Sequence, residues 1–218
     1  MAQEKNLIIH RFENPLMNSN TYVIVDGQNK SSIIIDPASE RSERVIGFIK
    51  ENSLTLEYVL ITHIHPDHCL GVNSLKKEYP KHTLIYHQDK FQKREFKLFF
   101  RLVKDDAESL FDIAPADIFV QDYMVLPWYE RSIKILMAPG HSEGSIVIDV
   151  DGLLFTGDTI IPYPPFFNGR GSNKKDWVQT INIICECYNE NTLIYPGHGN
   201  VLTLGEWQSN ENYSKVKI

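Results

Sequence analysis

Long apolar runs are missing from this 218-residue chain, and none approaches the ~20 residues needed to cross a bilayer. The first ten residues, Met1–His10, hold no apolar core behind a basic start. Neither a membrane span nor a secretory leader is expected, and the expected location is cytoplasmic. Cysteine is scarce: Cys69, Cys185 and Cys187 are an odd number at spacings that suit no disulfide framework, which fits a reducing compartment. Basic clusters are lacking as well. No Lys/Arg run exceeds a pair, and 22 basic against 28 acidic residues leave a formal charge of −6. The chain therefore lacks the electrostatic footprint of a phosphate-backbone binder, so neither nucleic acid nor an anionic membrane surface is expected as a partner. Low-complexity tracts, linker-like composition shifts and short repeats are absent too.

What remains is an ordinary globular composition, 42% hydrophobic and 23% charged. At this length roughly 70% of the unfolded chain's surface is buried on folding, so no metal or disulfide is needed merely to hold the fold. Metal ligands, if present, would then serve chemistry.

Apolar, β-branched runs bounded by turn residues predict strands over 7–12, 21–26, 32–36, 57–62, 83–87, 133–138, 145–150, 153–156 and 192–195. Helical patterning falls over 40–52, 70–79, 91–111 and 176–187. Strands come first and then alternate with helices, which predicts an α/β sandwich with sheets inside and helices outside. The segment from Gln88 to Asp117 is the least regular, with six apolar residues along a charged helix. It either packs into the core, covers a cleft as a lid or makes a dimer contact, the last of which would make the protein a homodimer.

The chemistry concentrates after the apolar run Tyr58–Ile61, in Thr62-His63-Ile64-His65-Pro66-Asp67-His68. In an extended segment alternate residues share a side, so His63, His65 and Asp67 can converge, and Pro66 stiffens the turn that brings His68 round. Imidazole and carboxylate together suit Zn²⁺, Fe or Mn²⁺, and so dense a polar cluster is hard to account for by packing. Three later strands repeat one design, each running into a glycine and then a ligand-type residue: Gly140-His141, Gly157-Asp158 and Gly197-His198. Glycine opens backbone conformations closed to other residues and lets loops crowd together around one ion. Five histidines and two aspartates exceed the needs of one tetrahedral or five-coordinate ion. Two ions fit better, His63, His65 and His141 holding one, Asp67, His68 and His198 the other, with Asp158 between them. Asp36 either orients a ligand histidine or caps the turn at Pro37. Tyr163, Phe166 and Arg170, in and after a proline-rich aromatic loop, are candidates for a small-molecule substrate pocket. His10, His82 and His87 belong to no motif.

Taken in order, these motifs resemble the metallo-β-lactamase superfamily, from Ser32-Ile33-Ile34-Ile35-Asp36-Pro37 to Thr203-Leu204-Gly205-Glu206. The stretches Ala138–Ser145 and Tyr195–Glu206 look most like its glyoxalase-II-like hydrolases. The resemblance implies a four-layer αβ/βα sandwich over residues 1–218 as one domain, with the metals at one edge, and it implies the ligand set just described. Asp158 stands where true β-lactamases of the superfamily typically lack the bridging aspartate, which speaks against antibiotic hydrolysis. Glyoxalase II carries a helical C-terminal domain for glutathione, whereas this chain ends about twenty residues after His198, so glutathione specificity is not expected to carry over.

Two cations about 3.5–4 Å apart can share a water and lower its pKa from 15.7 towards ~7. The expected function is a dinuclear zinc hydrolase in which a bridging hydroxide attacks a small ester, thioester or lactone. Asp67 would act mainly as a ligand and could orient the hydroxide or move its proton. A mononuclear iron persulfide dioxygenase, using His63, His141 and Asp158, is the alternative. A phosphodiesterase and a non-catalytic binding protein come after it.

Overall fold

A computed structural model describes residues 7–15, 17–39, 42–88, 113–167, 169 and 171–210. The strands pair into two six-stranded sheets. The first runs in chain order through β1 (Leu7–Glu13), β2 (Asn20–Asp26), β3 (Ser31–Ile35), β4 (Thr55–Leu60), β5 (Thr83–Tyr86) and β6 (Ile118–Phe119). β1 to β3 are antiparallel and β3 to β6 parallel. The second contains β7 (Met124–Trp128), β8 (Arg131–Met137), β9 (Ile146–Val150), β10 (Leu153–Gly157), β11 (Leu193–Pro196) and β12 (Leu202–Thr203), with one parallel pair, β10 and β11. The described helices are α1 (Glu43–Glu51), α2 (Pro66–Cys69), α3 (Val72–Glu78), α4 (Lys174–Cys187) and α5 (Leu204–Ser209).

Strand alternation sorts the side chains into three cores, and three cores mean four layers. Between the sheets lie Tyr22, Ile24, Ile33, Ile35, Ile146, Ile148 and Phe155. Their alternates Val23, Val25 and Ile34 face the other way, onto Val45 and Ile49 of α1 and Leu75 of α3. Val147 and Leu154 do the same on the second sheet, against Trp177 and Ile181 of α4 and Trp207 of α5. Strands covered on both faces are rich in apolar residues, and β2, β3 and β9 have every residue buried, each around a central or terminal apolar stretch. The fold is the expected αβ/βα sandwich.

Some boundaries differ from the sequence reading. Helix α1 begins at Glu43, not Glu40, because Ser42 takes a left-handed conformation (φ 48°) and its hydroxyl donates to Ser39 O at 3.0 Å instead of capping. Residues 40 and 41 are outside the described set. Helix α4 begins two residues early, where Asn173 Oδ1 accepts from the Lys175 and Asp176 amides. Pro66 does more than stiffen a turn. With its fixed φ it opens α2, so Asp67 leaves the alternating row of His63 and His65 and turns with His68. Strands β6, β7 and β12 and helix α5 were not anticipated: β7 contains Pro127, which a sheet tolerates only at an edge such as this. The expected helix over 91–111, with most of the irregular 88–117 segment, lies outside the described residues, although Ile113, Ala114 and Ala116 pack on the outer core of the first sheet. Among the described residues no helix is long and apolar enough to cross a membrane.

Candidate metal centre

The motif residues follow the carboxyl ends of strands from both sheets. The parallel register of β3 and β4, Ile35 opposite Leu60, sets Asp36 beside the segment leading to His63. In the second sheet β8, β10 and β11 run into His141, Asp158 and His198. Backbone bonds stitch the two sheets at this edge, Ile146 N donating to Thr62 O at 2.8 Å and Asn20 N to Gly197 O at 2.7 Å.

Seven side chains converge there. His65 Nδ1 lies 3.0 Å from both His63 Nε2 and His141 Nε2. His198 Nε2 lies 3.4 Å from Asp67 Oδ2 and 3.5 Å from Asp158 Oδ2, and His68 Nε2 lies 3.5 Å from Asp158 Oδ1. His141 Nε2 is 3.6 Å from Asp158 Oδ2, so this carboxylate stands between the two sets. Three groups, His63/His65/His141, His63/His68/Asp158 and Asp67/His68/His198, each keep their donor atoms within 4.8 Å. Donors held about 2.0–2.1 Å from a shared zinc at tetrahedral angles stand about 3.4 Å apart, close to these separations. His68 Nε2 and Asp158 Oδ1 are buried with no hydrogen-bond partner. Orphaned atoms of this kind cost stability unless something else satisfies them, and both belong to the donor groups. The residues therefore fit a pair of cations.

Neighbouring groups fix which nitrogen faces inward. Asp36 Oδ1 accepts from Thr62 N at 2.7 Å, while Oδ2 accepts from Thr62 Oγ1 at 2.6 Å and His68 Nδ1 at 2.9 Å. With its hydrogen on Asp36, the Thr62 hydroxyl can only accept from His63 Nδ1, 3.1 Å away. His63 and His68 thus both turn Nε2 toward the site. Asp36 bonds His68 directly and reaches His63 through Thr62.

The electrostatics divide the donors. Burial, with His68, His65 and His141 close by, pushes His63 well below the usual histidine range, and burial takes His141 down to about 4. His65 moves the same way. Burial would also lower His68 and His198, but Asp158 and Asp67 outweigh it. His68, helped by Asp36, rises to about 9 and His198 to about 11. Against burial, the same histidines hold Asp67 below and Asp158 well below the usual carboxylate range. Both carboxylates stay ionised at neutral pH. Gly197 shows how tight the assembly is, since a Cβ there would collide with Asp158 Oδ1 and His68 Cε1.

A cleft of about 490 Å³ opens beside His198, lined also by Glu13, Met17, Asn18, Ile161, Tyr163, Gly199 and Asn200. Tyr163 is thus at the site, Phe166 is exposed and outside the described lining, and Arg170 lies outside the described residues. Sequence reasoning missed Met17 and Asn18, consecutive left-handed residues in the β1–β2 loop that belong to no motif. Cys69 is fully buried with its thiol on His65 O at 3.2 Å. Cys185 packs partly into the α4 core while Cys187 is exposed.

A family model described as metallo-beta-lactamase superfamily matches residues 14–198. Hydroxyacylglutathione hydrolase of Pelagibacter ubique (strain HTCC1062) is 29% identical over 214 residues, covering 93% of this chain and 77% of that protein. Hydroxyacylglutathione hydrolase 1 of Vibrio vulnificus (strain YJ016) is 28% identical over 186 residues, 85% of this chain, and the chain spans only 64% of that relative's length. The crystal structure of ETHE1 from Myxococcus xanthus superposes with a TM-score of 0.76 at 20% identity, covering 96% of this chain and 89% of that one, a likeness of fold.

Proposed function

Since the chain belongs to the metallo-β-lactamase superfamily, we propose that it is a dinuclear, metal-dependent hydrolase of the glyoxalase-II-like kind, acting on a small ester, thioester or lactone. The observation that carries this reading is the pair of abutting donor sets with the Asp158 carboxylate between them and buried atoms on Asp158 and His68 that no hydrogen bond satisfies. His63, His65 and His141 would hold one cation, Asp67, His68 and His198 the other, and Asp158 would reach both. Zinc suits these donors best, with iron or manganese also accommodated. Bound there, two cations would supply acidification of a water and polarisation of a carbonyl oxygen.

The chain's own groups do the rest. Asp36 holds the His63 and His68 rings, directly or through Thr62, so the donors are in place before any ion arrives. Asp67, ionised and 3.4 Å from His198 Nε2, would act mainly as a ligand and could also move a proton. Tyr163, Met17 and Ile161 give the cleft an apolar wall, and its volume is in the range that holds small molecules. The donors span both sheets from His63 to His198, so one site takes most of the chain as a single domain. The free thiols suit a cytoplasmic setting.

The test is elemental analysis of the purified protein, followed by thioesters, lactones, phosphodiesters and persulfides with and without chelator. Two metal ions per chain and chelator-sensitive ester or thioester cleavage, both lost in His63→Ala and Asp158→Ala, are expected. One iron per chain with oxygen uptake on a persulfide and no ester cleavage would overturn the reading.

A further inference from the structure

His198 differs from the other donors in how it is held. His63, His65, Asp67 and His68 ride on one short segment of the first sheet, tied by Asp36 and by α2. His198 sits on the loop after β11, which is tied to its own sheet by Gly197 N donating to Gly157 O at 2.8 Å. From the opposite sheet it is held by three residues, one of them Arg11 of β1, whose guanidinium donates to Gly199 O at 2.9 Å and to Asn200 Oδ1 at 3.1 Å. Asn20 Nδ2 donates to Pro196 O at 3.0 Å and to Gly199 O at 2.9 Å, Asn20 N donates to Gly197 O at 2.7 Å, and the Tyr22 hydroxyl donates to Pro196 O at 2.7 Å. The carbonyls on both sides of His198 are thus clipped by two residues of β2.

The clip is built into the core. Asn20 is 1% and Tyr22 2% exposed, and the Tyr22 ring is wedged edge-on against Phe155 at 5.3 Å and Tyr195 at 5.6 Å. Asn20 Nδ2 also reaches the Tyr22 oxygen at 3.2 Å, so the two polar heads act as a unit. Burial pushes the Tyr22 phenol upward, which keeps it a donor throughout the working pH range.

We propose that Asn20 and Tyr22 are positioning residues that set His198 across the gap between the sheets, and so control occupancy of the Asp67/His68/His198 donor set without touching the His63/His65/His141 set. The proposal rests on the dinuclear reading above. Removing these side-chain donors weakens the loop's tie to the first sheet, leaving the Asn20 N bond and the exposed Arg11 contact, and losing an outer partner of a ligand typically costs 10–100-fold in metal affinity.

The experiment titrates zinc into the metal-free full chain, with stoichiometry read by elemental analysis after dialysis, for wild type, Asn20→Ala and Tyr22→Phe. Tyr22→Phe keeps the ring packing and deletes only the hydroxyl, so it carries the test if Asn20→Ala fails to fold. Wild type should bind two ions. The variants should keep the first with unchanged affinity and bind the second about 10- to 100-fold more weakly, with Tyr22→Phe showing the smaller loss. Equal affinity for the second ion in wild type and variants would overturn the inference, as would an equal weakening of both ions, which signals general loosening. Fewer than two ions on wild type would instead overturn the dinuclear reading itself.

Discussion

The Asp36 carboxylate bonds Thr62 and His68 and, through the Thr62 hydroxyl, also sets His63, so one buried side chain reaches both donor sets. Its left-handed backbone (φ 52°) is one that aspartate and asparagine tolerate. Asp36→Asn should therefore fold, yet its amide nitrogen only donates, so the Thr62 and His68 donors cannot all be satisfied. Affinity for both ions should drop about 10-fold, measured by competition with a chromophoric chelator. The contrast with Asn20, whose loss should affect one ion, separates the two roles. The pKa pattern adds a pH signature. His68 (about 9) and His198 (about 11) are raised, so both are protonated at pH 7 and must each give up a proton to coordinate. Loading the second set should release up to two protons and tighten as pH rises from 7 to 9. His141, down at about 4, is already neutral, so the first set should release almost none and weaken only in acid. Calorimetric titration in two buffers of different ionisation enthalpy checks this, and equal proton release at both steps would contradict it.

The strands and the helices packed on them bring the donors together by ending at the same edge, and their contacts set how far each loop can shift. Gly140, just before His141, has φ 144°, and a Cβ there would collide with the Trp177 backbone of α4. Trp177 is itself fixed, its indole donating to Thr159 O at 2.8 Å within the outer core of the second sheet. Gly140→Ala should force α4 and the His141 loop apart at a cost of about 2–4 kcal/mol. A lower urea midpoint, together with a weakened first ion, would show it. The apolar stretches Tyr22–Val25 of β2, Ile33–Ile35 of β3 and Ile146–Ile148 of β9 mark strands covered on both faces, and the glycine-plus-ligand endings mark the strands that reach the site. Strand β7 escaped because Pro127 breaks the local pattern and only its place at a sheet edge makes the proline tolerable. Helix α5 escaped although its capping box, Thr203 with Glu206, stands in the sequence, because six residues are too few for periodicity to register.

Across the whole molecule, the two sheets share one inner core, and ions at their common edge would bind the folded state alone. Free metal at about 100 times its dissociation constant adds about 2.7 kcal/mol. For a chain of this size that raises Tm by about 5–10 °C, so chelation followed by a thermal scan should lower it by that amount, and re-addition of zinc should restore it. No change on chelation would argue against tight binding at these donors. The sequence by itself determined the layered fold and the chemistry at its edge. Strand alternation, apolar runs and the ligand types in Thr62–His68, Gly140-His141, Gly157-Asp158 and Gly197-His198 are local, written within a few residues of one another. Only the tertiary structure decided whether Asp36 turns to histidine or to its own turn, how Asp158 stands between the donor sets, which loops wall the cleft, and that Asn20 clips a loop 176 residues away at Pro196. Those outcomes depend on which strand ends become neighbours when two sheets pack face to face. That is set by the summed burial of the whole core, and no window of sequence contains it.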